Sequence, residues 1–384
     1  MNSVTYILST LCPGGGVEAF CQNAISSLNA HGWSTNLIVL GRFDPVMVKQ
    51  FQTRGCQVDC LSENGQKDTF FALLRQYPRM KRLLAQRAGM VVHMHTCSHS
   101  VVLVLHCLKA LKRPVRILHS HTSPRADMGL LRRLRYRAVR AYASRTATRF
   151  AACSRKAAEF LFTDRLIQEG AVQIIPNALD ASRFSFDLQV RMRKRSELHW
   201  KTERIIGCVG RLEEEKNTSF ALELMPAVLQ LDSQARLLLV GDGSLRAALE
   251  QQAERLGLSK HVFFAGRTER VGEYLCAMDV FLMPSQFEGM PMALLEARCS
   301  GLPSVVSEGV PAECCSPEEC IRLPLSAPVR DWAEALTRPV HTPEERVQMG
   351  RECRKYGDLA TMTEKLLLLY RESTETTEKR KIAK

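Results

Sequence analysis

The sequence predicts an α/β protein with two doubly wound domains, each built on a parallel sheet. Short apolar runs alternate with helix-like stretches along both halves of the chain, and this alternation is typical of parallel α/β sheets. The length of 384 residues suits two domains of ordinary size, and a hydrophobic content of 45% supports a packed core in each. Doubly wound sheets bind ligands at the carboxyl ends of their strands, so we expect functional residues there.

Strand-like segments follow one another along both halves. In the first half they are residues 4–8, 34–39, 57–60, 90–95, 115–121, 149–152 and 173–175. In the second half they are residues 205–209, 236–240, 262–264, 280–283 and 304–306. The strongly charged stretch 188–203 is interpreted as a linker between the halves. These boundaries predict a first domain at residues 1–187 and a second domain at residues 200–358.

Positive charge is concentrated in the first half of the chain. Residues 1–200 hold 29 Lys and Arg against 12 Asp and Glu, whereas residues 201–384 hold 24 against 28. This difference supports two domains with different partners. The apolar runs are too short to span a bilayer, and the chain begins with a strand-like segment instead of a basic leader, so we expect a cytoplasmic protein. The fourteen cysteines lack paired CxxC spacing, which indicates buried thiols in a reducing compartment.

A basic helix is predicted within residues 130–149, with Arg133, Arg137 and Arg140 roughly opposite an apolar side that includes Leu134. Attraction to an anionic membrane, at the inner face of the plasma membrane, is one interpretation of this helix. A charged face that is simply exposed to solvent is a second interpretation. Nucleic acid ranks last, because no interleaved aromatic side chains or RNA-binding motif accompany the charge.

Two carboxylates, Glu288 and Glu296, lie eight residues apart across a predicted loop-to-helix junction. Pro291 suits the first turn of that helix, since its missing N–H would be unbonded there anyway. The helix N-terminus offers free N–H groups, including those of Gly289 and Met290, and can therefore bind an anion. A carboxylate beside an anion site indicates a ligand that carries both phosphate and hydroxyl groups, as a nucleotide sugar does.

Arg211 and Lys216 flank the loop that follows the predicted strand 205–209. Two cations at this place can neutralise a leaving diphosphate without a metal ion. A solvated turn, with Lys216 paired to a neighbouring Glu, is an equally good interpretation of the spacing. Gly15 and Gly16 follow the first strand and permit close backbone approach to a ligand, although a plain tight turn explains them as well.

His119 and His121 end the predicted strand 115–121 on one face of the sheet. There they could hydrogen-bond a sugar or act near neutral pH. His93 and His95 repeat the pattern on the preceding strand, so four histidines could approach one another. Satisfied structural histidines are the alternative, above all for His93 and His95. A pair of histidines without further ligands is a poor metal site, and no metal site is predicted.

Together these motifs resemble the retaining GT-B glycosyltransferases of the group 1, glycogen synthase-like family, and especially its exopolysaccharide and capsule-assembly branch. The loops at 15–18, 210–216 and 241–243 and the paired glutamates come in the order and at the spacing of that family. The resemblance covers nearly the whole chain. It implies two Rossmann-like domains that face a central catalytic cleft, with a C-terminal helix at about 360–384 that returns to the first domain.

The resemblance also implies roles for the second-domain residues. Arg211 and Lys216 would hold the diphosphate of a nucleotide-sugar donor. Glu288 would contact the donor sugar, and Glu296 would bind the ribose hydroxyls. Backbone groups of Gly289 and Met290 would line the sugar–phosphate site.

Further roles are implied for the first domain and for the nucleobase. Gly15 and Gly16 would approach the donor from the first domain. His121, with His119 as the alternative, would lie near the reacting sugar. Arg267 would lie near the nucleobase.

The implied activity is transfer of a sugar, with retention, from a nucleotide-diphosphate sugar such as a UDP-sugar. The acceptor would be a hydroxyl of a lipid-linked or growing surface polysaccharide of the exopolysaccharide, capsule, O-antigen or lipopolysaccharide kind. No metal or other cofactor would be required. Two alternatives remain open: a nucleotide-sugar epimerase of GT-B fold, and a non-catalytic basic protein that binds membrane or nucleic acid.

Overall fold

The chain divides into two compact domains. A computed structural model describes residues 2–13, 16–62, 70–87, 89–95, 101–113, 115–121, 130–316, 319–353 and 358–382, with backbone alone at 130–133 and 372–382. The first domain comprises Met1–Ala178 together with Leu359–Lys384. The second domain comprises Leu179–Asp358.

Seven parallel strands form the sheet of the first domain. They are β1 (Ser3–Leu8), β2 (Ser34–Val39), β3 (Gln57–Cys60), β4 (Val91–His95), β5 (Val115–Ser120), β6 (Arg149–Ala152) and β7 (Val172–Ile174). Their order across the sheet is β3-β2-β1-β4-β5-β6-β7. The order reverses between β1 and β4, and doubly wound sheets bind ligands beside such a reversal. The carboxyl ends of β1, β4 and β5 therefore lie where a ligand is expected.

Helices follow most of these strands in the part of the chain before residue 179 that the structure describes. They are α1 (Gly16–Ala30), α2 (Pro45–Thr53), α3 (Phe70–Arg75), α4 (Tyr77–Arg87), α5 (Val101–Ala110), α6 (Leu130–Thr146), α7 (Arg155–Leu161) and α8 (Asp164–Gln168). Helix α1 buries one apolar face, which includes Phe20 and Leu28, against the sheet.

Six parallel strands form the sheet of the second domain. They are β8 (Ile205–Val209), β9 (Arg236–Val240), β10 (Val262–Gly266), β11 (Val280–Met283), β12 (Ser304–Ser307) and β13 (Cys320–Leu323). Their order is β10-β9-β8-β11-β12-β13, so the order reverses between β8 and β11. Alternate residues of each strand enter two separate apolar clusters, with Ile206 in one and Ile205 in the other. Both faces of the sheet are thus covered, as a parallel sheet requires.

The helices of the second domain are α9 (Leu188–Glu197), α10 (Thr218–Leu231), α11 (Arg246–Arg255), α12 (Val271–Ala277), α13 (Met292–Cys299), α14 (Val329–Leu336) and α15 (Pro343–Cys353). Three short 3₁₀ turns occur at Ala181–Phe184, Glu214–Lys216 and Ala312–Cys314.

The last helix, α16 (Leu359–Ile382), belongs to the first domain, as the resemblance implied. Leu366 and Tyr370 of α16 are fully buried in the same cluster as Phe20 of α1. The hydroxyls of Ser27 and Thr363 hydrogen-bond at 2.6 Å between these two helices. The final helix is therefore a component of the first core.

The predicted linker at 188–203 is wrong, because this stretch forms α9 and packs onto the second domain. The Asp187 side chain caps the helix by accepting from the backbone N–H of Gln189 and Val190, at 2.8 and 3.0 Å. The charges that indicated a solvated segment are paired: Arg191 and Arg195 contact Asp279 at 2.5 and 3.1 Å. The domain boundary therefore lies after Ala178 and not near residue 187.

The basic helix also differs from its prediction. Helix α6 ends at Thr146, and its packed face carries Val139 and Ala143, whereas Leu134 is 51% exposed. An Arg140 N–H donates to the carbonyl of Phe162, and the guanidinium also pairs with a carboxylate of α8. Arg137 is exposed, and the side chain of Arg133 lies outside the described residues.

Strand β13 had no counterpart among the predicted strands, because the cysteine- and proline-containing sequence before it masked the pattern. Among the residues that the structure describes, no helix is both long and apolar enough to cross a membrane. The described cysteines are free thiols and most of them are buried.

Candidate functional site

The centre of the candidate site in the second domain is an ion pair between Lys216 and Glu288. Lys216 Nζ donates to Glu288 Oε1 at 2.6 Å. Lys216 ends the short turn after β8, and Glu288 lies in the loop after β11. Because β8 and β11 are neighbours at the reversal of strand order, their carboxyl-end loops meet. Glu288 is only 9% exposed, so the pair is largely shielded from solvent.

Backbone hydrogen bonds hold the two loops that carry this pair. The N–H of Gln286 donates to the carbonyl of Glu215 at 2.9 Å, and the N–H of Glu288 donates to Gly309 at 3.0 Å. Asn217 adopts a left-handed conformation with φ of 52°, and its side-chain amide donates to the carbonyl of Pro284 at 3.2 Å. The lysine is therefore positioned by main-chain geometry on both sides of it.

Arg211 lies in the loop after β8, before the turn that ends at Lys216. Its guanidinium contacts Glu215 at 2.8 Å, and its side chain is 48% exposed. An exposed pair of this kind contributes about 0–1 kcal/mol to stability, so little holds Arg211 away from an incoming anion. Arg211 therefore pairs with a Glu of its own loop, whereas Lys216 pairs with Glu288 in the loop after β11.

Glycines bring the loops after β8 and β9 into direct backbone contact. A Cβ added to Gly241, whose φ is +138°, would lie 1.8 Å from the carbonyl oxygen of Gly210. A Cβ on Gly243 would lie 2.4 Å from the carbonyl oxygen of Leu212. These loops form a closely packed floor at the carboxyl edge of the sheet, and only glycine fits at 241.

Glu213 braces the same floor. Its two carboxylate oxygens accept from the backbone N–H and the hydroxyl of Ser244, at 3.0 and 2.7 Å. These hydrogen bonds hold the pKa of the Glu213 carboxyl below its usual range. Ser244 lies 31 positions from Glu213 in the sequence, and sequence reasoning missed this contact.

Glu296 lies on α13, one turn beyond its N-terminus. Burial raises the pKa of its carboxyl to about 7, and the positive charge of Arg183 opposes the shift. Among the described contacts, no hydrogen bond or ion pair is made to this carboxylate. Glu296 can therefore accept hydrogen bonds from a ligand. Arg183, on the turn Ala181–Phe184, is a contributor that sequence reasoning missed, because it lies more than a hundred positions away.

The N-terminus of α13 lies between the two glutamates. Pro291 occupies the N-cap position, immediately before the helix and not inside its first turn as predicted. The first N–H groups of the helix, from Met292 and Ala293, have no partner within it. Gly289 and Met290 are partly exposed just ahead of this end. The arrangement combines an anion-binding end with a carboxylate on each side.

The remaining predicted donor-binding residues are Arg267, Gly16 and Gly15. Arg267 is exposed directly after β10, the edge strand of the second sheet. Gly16 is exposed at the start of α1 in the first domain. Gly15 lies outside the described residues. The roles of all three remain predictions.

Four histidines come together at the carboxyl ends of β4 and β5 in the first domain, which confirms the predicted approach. His119 Nδ1 lies 3.2 Å from His93 Nε2, and His95 Nδ1 lies 2.8 Å from His121 Nε2. His119 is fully buried, whereas His121 is partly exposed. Of the two histidines proposed to meet a sugar, only His121 has surface with which to do so.

Burial lowers the pKa of each of these four histidines below its ordinary value. For His95 and His119 the neighbouring imidazoles lower the pKa further, whereas a hydrogen bond to Asn177 opposes the shift at His121. The four rings are therefore neutral at neutral pH.

Two family models match the chain, one for each domain. The model described as glycosyl transferases group 1 matches residues 190–356, and the model described as a glycosyl transferase 4-like domain matches residues 15–178. The first match begins within α9, in agreement with the placement of that helix in the second domain.

Two curated relatives illustrate the similarity in sequence. The putative glycosyltransferase EpsF of Bacillus subtilis is 33% identical over 250 residues, which are 64% of this chain and 65% of EpsF. The UDP-Gal:α-D-GlcNAc-diphosphoundecaprenol α-1,3-galactosyltransferase of Escherichia coli is 28% identical over 179 residues, 46% of each chain. The chain thus aligns with less than two thirds of the length of either relative.

A solved structure shows the same fold over its whole length. The Anabaena protein Alr3699/HepE, in complex with UDP and glucose, matches with a TM-score of 0.78 over 96% of this chain and 98% of that chain. The sequences are 17% identical, so this likeness speaks for the fold alone.

Proposed function

Because this chain belongs to the group 1 glycosyltransferases of GT-B fold, we propose that it transfers a sugar from a nucleotide-diphosphate donor to a hydroxyl of a polysaccharide or lipid-linked glycan. The observation that carries the proposal is the Lys216–Glu288 ion pair at the reversal of strand order. It sets one cation and one carboxylate beside a helix N-terminus, which suits a ligand with a diphosphate and a sugar.

Departure of the diphosphate is the step that this site would assist most. Negative charge grows on the leaving phosphate oxygens as the bond to the sugar breaks. Lys216, Arg211 and the free N–H groups of α13 are fixed donors that would stabilise that charge. Three sources of positive potential suffice for this purpose without a metal ion, so we propose a metal-independent transfer.

Retention is the proposed stereochemical course. The acceptor hydroxyl would attack the anomeric carbon on the face from which the diphosphate leaves, and the leaving phosphate oxygen would take its proton. Glu288 is a poor candidate for a covalent nucleophile, since Lys216 already binds its carboxylate at 2.6 Å. We assign Glu288 instead to the donor sugar, with Gly289 and Met290 beside the sugar–phosphate linkage.

A UDP-sugar is the proposed donor. The Anabaena neighbour holds UDP and glucose, and the Escherichia coli relative is named for UDP-Gal. Glu296 would accept hydrogen bonds from the ribose hydroxyls, and Arg267 would lie near the nucleobase. Gly15 and Gly16 would approach the donor from the first domain.

The proposed acceptor is a lipid-linked or growing surface glycan, in keeping with the diphosphoundecaprenol substrate named for the Escherichia coli relative. His121 would contact the reacting sugar or the acceptor hydroxyl. Exposed Arg135 and Arg137 of α6 would hold the protein on anionic lipid at the inner face of the plasma membrane.

The experiment is a transfer assay with a panel of nucleotide sugars and lipid-linked acceptors. We expect one donor to be consumed only when acceptor is present, with the same anomeric configuration in the product as in the donor and no loss of rate in chelator. Sugar conversion without acceptor would instead identify an epimerase. Failure to consume any donor, together with unchanged nucleotide-sugar binding in Glu288→Ala, would refute the proposal.

A further inference from the structure

We propose that His93, His95 and His119, hereafter the histidine cluster, bind a divalent transition-metal ion of the zinc class. Each of the three side chains offers one ring nitrogen, and these ligand atoms lie within 4.8 Å of one another. All three side chains are buried at the carboxyl ends of β4 and β5. The histidine cluster belongs to the first domain, whereas the proposed diphosphate-binding residues belong to the second.

Two ring nitrogens of the histidine cluster lack a partner. Nε2 of His95 and Nε2 of His119 are shielded from solvent and make no hydrogen bond with any residue that the structure describes. A buried polar atom without a partner is costly, and native proteins rarely leave two such atoms side by side. A metal ion accepts the lone pair of a neutral imidazole and would remove this cost at His95 Nε2.

The spacing of the rings suits a small tetrahedral ion. Nδ1 of His119 and Nε2 of His93 are 3.2 Å apart. Zinc–nitrogen bonds of about 2.0–2.1 Å place two ligands of a tetrahedral site roughly 3.3 Å apart. Two of the three ligand nitrogens therefore already have the separation that one tetrahedral ion requires, and the third lies within 4.8 Å of them.

Outer partners already orient two of the ligands. The hydroxyl of Tyr370 lies 2.7 Å from His93 Nδ1, and His121 Nε2 lies 2.8 Å from His95 Nδ1. Metal-binding histidines usually have such a partner on the ring nitrogen that faces away from the metal, where it fixes the tautomer and the ring plane. The Tyr370 hydroxyl is held in turn by that of Tyr6, at 3.0 Å.

The ligand set selects the class of ion. Magnesium and calcium require oxygen ligands, and the histidine cluster offers nitrogen alone. Neutral imidazoles suit zinc, copper and nickel. Three protein ligands leave a fourth position for water or for a group of a bound substrate. An ion here would join the ends of β4 and β5 to α16 through Tyr370.

The test uses the full chain after removal of metal with a chelator, followed by titration with Zn²⁺ and with Co²⁺. We expect one ion per chain at micromolar affinity or better, and a rise in melting temperature with zinc. Bound cobalt should give the visible bands of a four-coordinate site without the intense near-ultraviolet absorption of thiolate ligands. That spectrum distinguishes the histidine cluster from the many cysteines.

Variants locate the ion. His95→Gln and His119→Gln should each lower zinc affinity at least a hundredfold, whereas His31→Gln and His106→Gln, which change exposed histidines, should leave it unchanged. Tyr370→Phe keeps the ring and removes the hydroxyl that contacts His93 and Tyr6, so it should lower affinity by about 10- to 100-fold. Circular dichroism checks that each variant is folded.

The proposal is overturned if the metal-free chain binds neither ion at micromolar concentration, or if cobalt shows a thiolate spectrum. Unchanged affinity in folded His95→Gln and His119→Gln also overturns it. If both of these variants fail to fold, Tyr370→Phe and the cobalt spectrum of the unaltered chain decide the question. Transfer activity is not a readout in this test, so its outcome is independent of the proposed function.

Discussion

Lys216 Nζ lies 2.6 Å from Glu288 Oε1, and this contact joins the loops after two neighbouring strands. The two residues are 72 positions apart in the sequence. The pair sets the charge balance of the proposed donor site, since Glu288 neutralises Lys216 until a diphosphate arrives. Each partner should therefore depend on the other for its effect on transfer.

Substitution of Lys216 tests this dependence. Lys216→Ala should lower kcat by about 10²- to 10³-fold, because a fixed positive charge is lost from the leaving diphosphate. Glu288→Gln should also lower kcat, and the double variant should lose less than the two single losses combined. Lys260→Ala, at an exposed position of the same domain, is the matched control. Strict additivity of the two changes would contradict a coupled pair.

The raised pKa of Glu296 predicts that donor binding depends on pH. Its pKa is about 7 in the free protein, so a large fraction of the carboxyl is protonated at neutral pH. Ribose hydroxyls donate hydrogen bonds to the ionised form, and binding should therefore release a proton and tighten as pH rises through 7. Calorimetry in buffers of different ionisation enthalpy measures the proton. Glu296→Gln should bind more weakly and without this pH dependence; an unchanged pH profile in this variant would exclude Glu296 as its source.

Glu296 should also make the stability of the folded domain depend on pH. Donor binding should tighten as pH rises, whereas the contribution of Glu296 to stability should fall. A raised pKa means that the buried carboxyl stabilises the folded domain most below its unfolded value, near 4.5, and that this contribution is lost as pH rises through 7. Glu296→Gln removes the buried charge, so its advantage in free energy of unfolding over the unaltered chain should grow between pH 6 and pH 8. Urea denaturation at several pH values measures it. A difference that shrinks over this range would show that the carboxyl is ionised and satisfied.

The close contact of Gly241 with the loop after β8 predicts that a larger residue at this position destabilises the protein. In Gly241→Ala the added methyl group would meet the carbonyl oxygen of Gly210, in a backbone conformation that L-residues avoid. We expect a loss of at least about 1–3 kcal/mol in stability from backbone strain and overpacking. Gly257→Ala is the matched control, because its φ is also positive, +69°, but nothing lies within 4 Å of its Cβ. Equal melting temperatures for the two variants would show that the loops can separate without cost.

Membrane attraction should depend on the exposed arginines of α6. Arg135→Glu with Arg137→Glu should weaken binding to liposomes that contain anionic lipid, since each basic residue near such a surface contributes about 1 kcal/mol. Turnover of a soluble acceptor should not change. Arg330→Glu with Arg338→Glu, at two exposed positions in the second domain, makes the same change in net charge and is the matched control. Unchanged liposome binding in the α6 double variant would refute the proposed membrane association.

The sequence was sufficient for twelve of the thirteen strands and for the loops that follow them. The predicted strand boundaries at β2, β3, β6, β8, β9 and β11 match the structure residue for residue. Apolar periodicity is a local signal, and parallel sheets place the strand ends together without further information. This explains why His95 and His121 could be expected near each other.

Relationships between distant residues could not be predicted. The charged stretch 188–203 has the local composition of a linker, and only the buried Asp279 makes its arginines part of a core. The prediction of which face α6 buries was likewise wrong. Val139 and Ala143 are buried because neighbouring elements pack against that face, and the hydrophobicity of the helix alone does not determine which face is covered. The pairing of Lys216 with Glu288, and not with a Glu near it in the sequence, also depends on a residue 72 positions away and so could not be predicted.

The hydrogen bond between Tyr6 and Tyr370 joins residues 364 positions apart on the two segments of the first domain, and the second domain is inserted between those segments. A ribosome therefore releases all of the second domain before it supplies the helix that completes the first core. The first domain must wait with one side of its core uncovered while the second can already fold. The second domain can thus reach its final packing before the first domain, whose last element leaves the ribosome after it.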